Sequence, residues 1–411
     1  MKKIGFVIGL YGEEVNGGAE KHCKMLAERA CRYYDVEVLT TTAKDYKTFT
    51  PFYKEGVEEI NGVRVRRFRT IPFNQERFST FYNKSRTGRK IRRFLYKRGL
   101  LRYVASLFPS WSLFAKKEIE TLKKHGLYSP DLIDYVKTNE ASYSALFLIS
   151  YPCPNFYFIN DIIPHKCIFI PTAHDEGDFF RAYLADIFTT IKHIAFNTAS
   201  ERDLCQRIFG NKMSSNSILA VGVELEEAAD FSDVQLKYNL PNRYVLYFGR
   251  IAEEKIGNLI PWFIAYKNQS DDPVKLVLTG GNFMAKCEHP DIQYTGFVSE
   301  SEKTALIKHA QLVVNPSDRE SLSLLLLETM QLGKPALVNG KSEVMKQHCI
   351  DSNFAAHYYI SKSDFIQKLN EMLALDQFEE NEGPSRKAIS YVEENYSWNK
   401  ILERLNVVID S

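Results

Sequence analysis

Apolar residues run unbroken from Ile4 to Gly9 and stop in a loop that carries Gly17 and Gly18. Ala19, Cys23, Leu26, Ala27 and Ala30 then recur at helical spacing, and Val36 to Thr40 makes a second strand-like run. A strand, a helix and a strand within about forty residues form a β-α-β unit, a connection that requires a parallel pair. Further strands are predicted at Leu132 to Val136, Cys167 to Pro171 and His193 to Asn197. The pattern restarts at Tyr244-Val-Leu-Tyr-Phe-Gly-Arg. Lys275-Leu-Val-Leu-Thr-Gly-Gly, Ile292-Gln-Tyr-Thr-Gly, Leu312-Val-Val-Asn-Pro and Pro335-Ala-Leu-Val follow it, with helical segments between them. This alternation predicts two α/β sheets in tandem. The expected division is an N-terminal domain over 1–223, a charged linker over 224–242 and a C-terminal domain over 243–394. Helical spacing from Ile389 to Ile409 predicts a closing helix, with 395–411 assigned to the first domain.

Length agrees with that division, because 411 residues exceed one ordinary core and suit two domains of about 200 residues. Lys plus Arg number 53 against 51 Asp plus Glu, so overall charge selects no partner and only its local distribution can. The seven cysteines are scattered, odd in number and without a CxxC pair. That pattern argues against a disulfide framework or a structural zinc site and for a reducing, cytoplasmic compartment. The N-terminal apolar run is cut at once by Tyr11, Gly12, Glu13 and Glu14, so it reads as a buried strand rather than a signal peptide. No stretch of about 18 apolar residues suggests a spanning helix.

In open α/β sheets ligands bind beyond the carboxyl ends of the strands, and four loops there carry candidate chemistry. In Asn315-Pro-Ser-Asp-Arg-Glu320-Ser-Leu322-Ser323-Leu324, a strand gives way to a helix that Ser321 or Ser323 can cap and that Gly333 and Pro335 stop. Free amides near Leu322 to Leu324 would bind an anion. A diphosphate there would place Glu320 towards a sugar and Glu328, on the helix, towards a ribose. The plain alternative is a Leu-rich core helix with two incidental acids. Gly249-Arg250-Ile-Ala-Glu-Glu-Lys255 offers two cations to a leaving diphosphate, or is a surface loop whose Glu253 and Glu254 neutralise them. Phe169-Ile-Pro-Thr-Ala-His174-Asp175-Glu176-Gly177-Asp178 crowds titratable groups at a strand end. His174 could bond a sugar or diphosphate, join a metal cluster, or cap the next helix. Asn16-Gly17-Gly18-Ala19-Glu20 lets a phosphate or sugar approach the first helix, but it is neither a Walker loop nor a dinucleotide fingerprint.

Taken in order, these loops resemble family 4 of the retaining glycosyltransferases. The resembling residues are Gly17-Gly18-Ala19-Glu20, Pro171-Thr-Ala-His174-Asp175, Ala220-Val-Gly222-Val223-Glu224, Gly249-Arg250 with Lys255, Ile292-Gln-Tyr-Thr-Gly296-Phe-Val298, and Glu320 to Glu328 with Gly333-Lys-Pro335. The resemblance implies a GT-B fold: two Rossmann-like parallel-sheet domains facing a central cleft, with a C-terminal helix carrying Trp398 back to the first. It implies donor diphosphate binding by Gly17, Gly18, Arg250, Lys255, Leu322, Ser323 and Leu324. Glu328 would hold the ribose, Val298 the base, and His174 and Glu320 would be catalytic. Transfer would retain the anomeric configuration, moving a hexose from a nucleotide diphosphate sugar to a glycan or lipid-linked acceptor in cell-surface polysaccharide assembly. No Asp-x-Asp motif stands in place, so no metal or other cofactor is expected. Two positions depart from the family: Ile256 separates Lys255 from Gly257, and Ser321 and Ser323 stand where glycines are common. The rival readings are a non-catalytic nucleotide-sugar-binding regulatory subunit, a GT-B epimerase and a phosphorylase.

Residues 77 to 102 carry ten Lys or Arg and no acid, interleaved with aromatics, and Phe108, Trp111 and Phe114 follow. This segment, 77–114, is expected either to meet an anionic membrane at the inner face of the plasma membrane or to be a solvated helix packed by its aromatics. No recognised module surrounds it that would bind nucleic acid.

Overall fold

The computed structural model describes every residue except Asn16, residues 375–382 and Ser411. The chain divides into two compact units, Met1–Val221 with Ile401–Ser411, and Gly222–Lys400.

The first unit is built on β1 (Lys3–Val7), β2 (Asp35–Thr41), β3 (Gly56–Ile60), β4 (Val63–Phe68), β5 (Ala145–Ile149), β6 (Cys167–Ile170), β7 (His193–Phe196) and β8 (Asn216–Ile218). Their order across the sheet is β3-β4-β2-β1-β5-β6-β7-β8. All neighbours are parallel except the hairpin β3–β4. That hairpin turns on Asn61 and Gly62, both at positive φ, as a two-residue hairpin turn requires. β1 and β5 lie side by side, with Ile4 opposite Ala145 and Phe6 opposite Phe147. Every residue of β5 is buried, the mark of a parallel strand covered on both faces.

The predicted strand at Leu132 to Val136 is instead part of the helix Pro130–Asn139. Ser129 caps that helix by accepting a 3.2 Å hydrogen bond from the Leu132 amide, and Pro130 sits in its first turn. Only Leu132, Ile133 and Val136 of this helix are buried, a one-faced helical spacing. The sheet's central position goes to β5, farther along the chain. The other predicted strands of this unit appear as β1, β2, β6 and β7.

Between β4 and β5 the basic segment forms the helices Gln75–Lys84, Arg86–Lys97, Leu101–Leu107 and Ser112–Leu122. Arg92 is fully buried there. Its guanidinium donates to the Ile208 carbonyl at 3.1 Å and lies over the rings of Trp111 and Phe209. Burial pulls its pKa down to about 10 and leaves it charged.

The second unit carries β9 (Tyr244–Phe248), β10 (Lys275–Thr279), β11 (Ile292–Gly296), β12 (Leu312–Asn315), β13 (Ala336–Asn339) and β14 (His357–Tyr359). They stand in the order β11-β10-β9-β12-β13-β14, all parallel. Residues 224–242 include the helix Phe231–Tyr238, capped by Asp230 and closed by Asn239 in the left-handed region. This helix packs on Glu300–His309, where Lys237 and Tyr238 bond Glu302 at 2.6 and 3.0 Å. The closing segment is two helices, Pro384–Tyr396 and Trp398–Asp410, parted at Ser397. The second returns to the first unit, where Asp410 meets Lys2, and Asn406 accepts from the Tyr34 hydroxyl at 2.5 Å.

Candidate active site

Both sheets place their first strand in the middle and add later strands on either side of it. In the second unit the direction of addition reverses between β9 and β12, the point where open α/β sheets bind ligands. The loops that leave these strands contain Gly249 to Gly257 and Pro316 to Ser323. The strand-end loops are laced by backbone hydrogen bonds: Gly249 to Thr279, Ile251 to Gly281, and Gly280 to Gly296. Gly280, at φ 125°, has no room for a Cβ, which would run into the Gly249 carbonyl. Phe297 and Phe283, both largely exposed, lie against Gly281. Val298 follows, half-buried, on the core that includes Phe248 and Leu306.

The two cations of the first loop have separate partners. The Arg250 guanidinium donates to Glu254 at 2.9 Å in an exposed pair, and the Lys255 ammonium donates to Glu320 at 2.9 Å in a half-buried one. Lys255 is therefore not neutralised by its neighbours Glu253 and Glu254; it is held on the loop that ends in the helix Leu324–Gln331. Exposed pairs contribute at most about 1 kcal/mol, so a more highly charged anion can displace either carboxylate.

Ser323 caps that helix from the left-handed region, at φ 69°, a conformation that costs a non-glycine residue about 1–2 kcal/mol. The Asn315 amide holds it there by donating to the Ser323 hydroxyl at 2.9 Å, and that hydroxyl accepts from the Leu326 amide at 3.4 Å. The first bond along the helix axis runs from Leu327 to the Ser323 carbonyl, so the opening amides belong to Leu324 and Leu325. Leu322 and Ser323 are buried, and Leu324 is half-buried. His348, which the sequence does not single out, braces this turn. One ring nitrogen bonds the Leu322 carbonyl and the other the Tyr391 hydroxyl, both at 2.8 Å. A carbonyl only accepts, so Nε2 carries the proton and Nδ1 accepts from Tyr391. Burial pulls the His348 pKa down to about 4 and keeps the ring neutral.

Glu328 lies one turn further along, almost wholly buried. Its carboxylate is 2.8 Å from the ammonium of Lys303, which also reaches Glu300 at 2.6 Å. The Lys303 side chain is 9% exposed and that of Glu328 4%, so this is a desolvated ion pair. Lys303 is a second residue that reading along the chain does not reveal.

In the first unit Gly17 caps the helix Gly18–Ala30, and Glu20 folds back over it. A Cβ on Gly17 would collide with the Glu20 carboxylate, whereas one on Gly18 would meet nothing. The Tyr46 hydroxyl donates to Glu20 at 2.5 Å. Asn16 of the same motif lies outside the described residues. His174 follows β6 and is partly exposed, with one ring nitrogen 3.2 Å from Glu176 and the other 3.4 Å from the Thr172 carbonyl. The Tyr151 hydroxyl donates to Glu176 at 2.7 Å. Thr172 has φ 51°, and the loop is pinned from below by Glu201. The Glu201 carboxylate accepts from the amides of Ala173 and Asn197, tying the end of β6 to the end of β7. Burial pushes the Glu201 pKa up to about 8, against those hydrogen bonds, which favour its ionised form. Asp178 turns away to bond Arg89 at 2.6 Å, Arg181 at 3.1 Å and the Tyr82 hydroxyl at 2.9 Å. Among the described residues no group of three or more His, Cys, Asp or Glu is placed to hold a metal ion.

Residues 242–374, most of the second unit, match the family model described as Glycosyl transferases group 1. The whole chain superposes on Anabaena Alr3699/HepE in complex with UDP-glucose, with a TM-score of 0.68 at 13% identity and full coverage of both chains. It superposes equally on sucrose-phosphate synthase from Thermosynechococcus elongatus, with a TM-score of 0.67 at 14% identity, covering 99% of this chain and 98% of that one. The chain has the GT-B fold. In sequence it is 22% identical to the uncharacterized glycosyltransferase MJ1607 of Methanocaldococcus jannaschii over 98% of its own length and 97% of that protein's. The GT-B fold accounts for the two sheets, each with its first strand inside, and for the closing helix that rejoins the first unit. No helix among the described residues is long and apolar enough to cross a membrane.

Proposed function

We propose that this protein is a family 4 glycosyltransferase that moves a hexose-type sugar from a nucleoside diphosphate to a glycan or lipid-linked acceptor, with retention of anomeric configuration. The observation that carries the reading is the Lys255–Glu320 pair beside the Ser323-capped helix, at the reversal point of the second sheet. In this reading Arg250, Lys255 and the amides from Leu322 to Leu324 take the diphosphate, with Gly17 and Gly18 offering close backbone approach from the first unit. Glu328, held in place by Lys303, accepts a ribose hydroxyl. Val298, with Phe297 exposed beside it, meets the base. Glu320 contacts the sugar once the diphosphate draws Lys255 from it, and His174 serves the reacting carbon. The domain assignment follows: donor binding in 243–394, and acceptor binding in 1–223 with 395–411.

The chemistry asks the protein for charge stabilisation and positioning. As the glycosidic bond ionises, Arg250 and Lys255 stabilise the leaving diphosphate, which then takes the acceptor's proton on the same face. No residue need form a covalent bond. The similar Anabaena protein is in complex with UDP-glucose, so UDP is the first nucleotide to test. The proposed setting is cytoplasmic, at the inner face of the plasma membrane, in surface-glycan assembly.

The test is calorimetric titration of nucleoside diphosphates, followed by slow hydrolysis of the matching sugar donors. UDP or another nucleoside diphosphate should bind in the micromolar range, and Lys255→Ala should weaken it while leaving the circular dichroism spectrum unchanged. Proton NMR of the product should show the donor's anomer. Binding without any turnover would assign a regulatory subunit instead, and no binding would reject the reading.

A further inference from the structure

We infer that the outer face of the helical layer between residues 86 and 113 is a docking surface for an anionic lipid bilayer. From Arg77 to Lys117 the chain carries twelve Lys or Arg and no Asp or Glu. The structure sorts these cations. Arg92 is spent inside the unit and Arg89 on Asp178. Lys90, Arg93, Lys97, Arg98 and Arg102 face solvent. The large apolar residues among them also point outward: Phe94, Leu100, Tyr103, Leu107, Phe108 and Leu113 are between 49% and 83% exposed. They are not surplus from a missing core, since Gly88, Leu101, Ala105 and Ala115 already fill the inner side of the same helices. Arg98 lies over the Phe94 ring at 4.4 Å, a cation and an aromatic presented together.

Charge and shape choose the occupant. A second copy would bring a like-charged face against this one. Nucleic acid would match the cations but gain nothing from Leu100, Leu107 and Leu113. An anionic bilayer takes both: phosphates for the cations, and the acyl boundary for apolar side chains. Two acids border this face: Asp186 is taken by the Ser110 hydroxyl at 3.0 Å, and Asp203 shares a pocket with Arg102, Gln206 and Arg207, where two arginines outweigh it. The layer also abuts the His174 loop, because Arg89 bonds Asp178 and the Arg93 guanidinium lies 3.7 Å from where a Cβ of Gly177 would stand. Docking would therefore bring that loop to the lipid surface, where a lipid-linked acceptor would be met. Only this last consequence rests on the transferase reading.

The experiment uses the full chain and vesicles of phosphatidylcholine, with and without phosphatidylglycerol, in flotation at low and high salt. We expect binding to the anionic vesicles at least tenfold tighter than to neutral ones, and weakened at least tenfold by salt. Each exposed cation contributes about fivefold. The variant Arg93→Gln, Lys97→Gln, Arg98→Gln, Arg102→Gln should therefore bind about 600-fold more weakly. The variant Tyr103→Ser, Leu107→Ser, Phe108→Ser, Leu113→Ser should also lose binding. Both should keep the wild-type melting temperature and nucleoside diphosphate affinity, because every changed side chain is exposed. Equal binding to both vesicle types, or variants that float like the wild type, would overturn the inference. So would a wild-type dimer that the serine variant dissolves without any vesicle binding, which would assign the face to a second copy. Nucleotide titration of the same samples separates failure of docking from failure of the transferase reading.

Discussion

Each unit builds its sheet outward from a central first strand, yet the two place their charged side chains differently. In the first, ionic groups are used deep in a helical layer: Arg181 lies 3.9 Å from the buried Glu118 and 3.1 Å from Asp178, while Arg92 is enclosed by rings. In the second, Lys255 with Glu320 and Arg250 with Glu254 gather beyond the strand ends, while Lys303 meets Glu328 between two helices. The same sheet thus serves two purposes. Where inserted helices cover it, charges lock one layer to another. Where its switch point is left to short loops, charges stand on the loops in pairs that an anion can reorganise. Within the second unit the pairs differ again, since Lys303–Glu328 is desolvated and the other two are wet.

That contrast can be broken most forcefully at Lys303. Removing one partner of a desolvated pair costs about 3–5 kcal/mol. Lys303→Met should lower unfolding stability by that amount in denaturant titration. It should also weaken nucleotide binding, because Glu328 loses the ammonium that positions it. An unchanged midpoint would show the pair to be wet after all. At Lys255 the cost should fall on activity instead. Lys255→Ala is expected to lower turnover about 10²–10³-fold, while stability, read by the melting temperature, changes by less than about 1 kcal/mol because the pair is half-exposed.

Acid titration probes three desolvated histidines spread over both units. Burial pulls His22, His125 and His348 down to about 4. Each is neutral when folded but takes a proton near pH 6.5 when unfolded. Their contribution is complete above that value and declines as pH falls towards 4, by up to about 2 kcal/mol each at pH 5. His22 has a buried ring nitrogen without a partner, so His22→Leu should flatten the acid slope with little loss of stability at pH 7. Melting curves between pH 7 and pH 5 measure this. The smallest effect is expected at the most exposed pair: Glu254→Gln should shift stability by less than about 0.5 kcal/mol. The same change should hold or slightly improve nucleotide affinity in titration, because it releases Arg250.

Local pattern carried far in this chain. Apolar runs ending in glycine mark β1, β9 and β10, and Ser323 with Gly333 brackets the helix that bears Glu328. It misled where two readings of one run compete. Leu132 to Val136 has strand-like residues, but Ser129-Pro130 starts a helix there, and the strand lies at Ala145–Ile149. The Asn61-Gly62 pair that turns β3 into β4 was a usable hairpin signal. The basic run of 77–102 gave no hint that Arg89 and Arg92 face inward, since that depends on the helix's phase against the core.

Sequence alone determined the alternation of strands and helices, the glycine and serine positions where loops turn, and the residue types offered at the strand ends. These are local matters of backbone freedom, capping and periodicity. Tertiary structure decided the pairings: Lys303 with Glu328, His348 with the Leu322 carbonyl, Glu201 with the Ala173 amide, and Lys255 with Glu320 rather than with its neighbours. Each pairing joins groups distant in the chain, and its strength depends on how far the packed sheet excludes water. Neither partnership nor burial exists until the strands have taken their order.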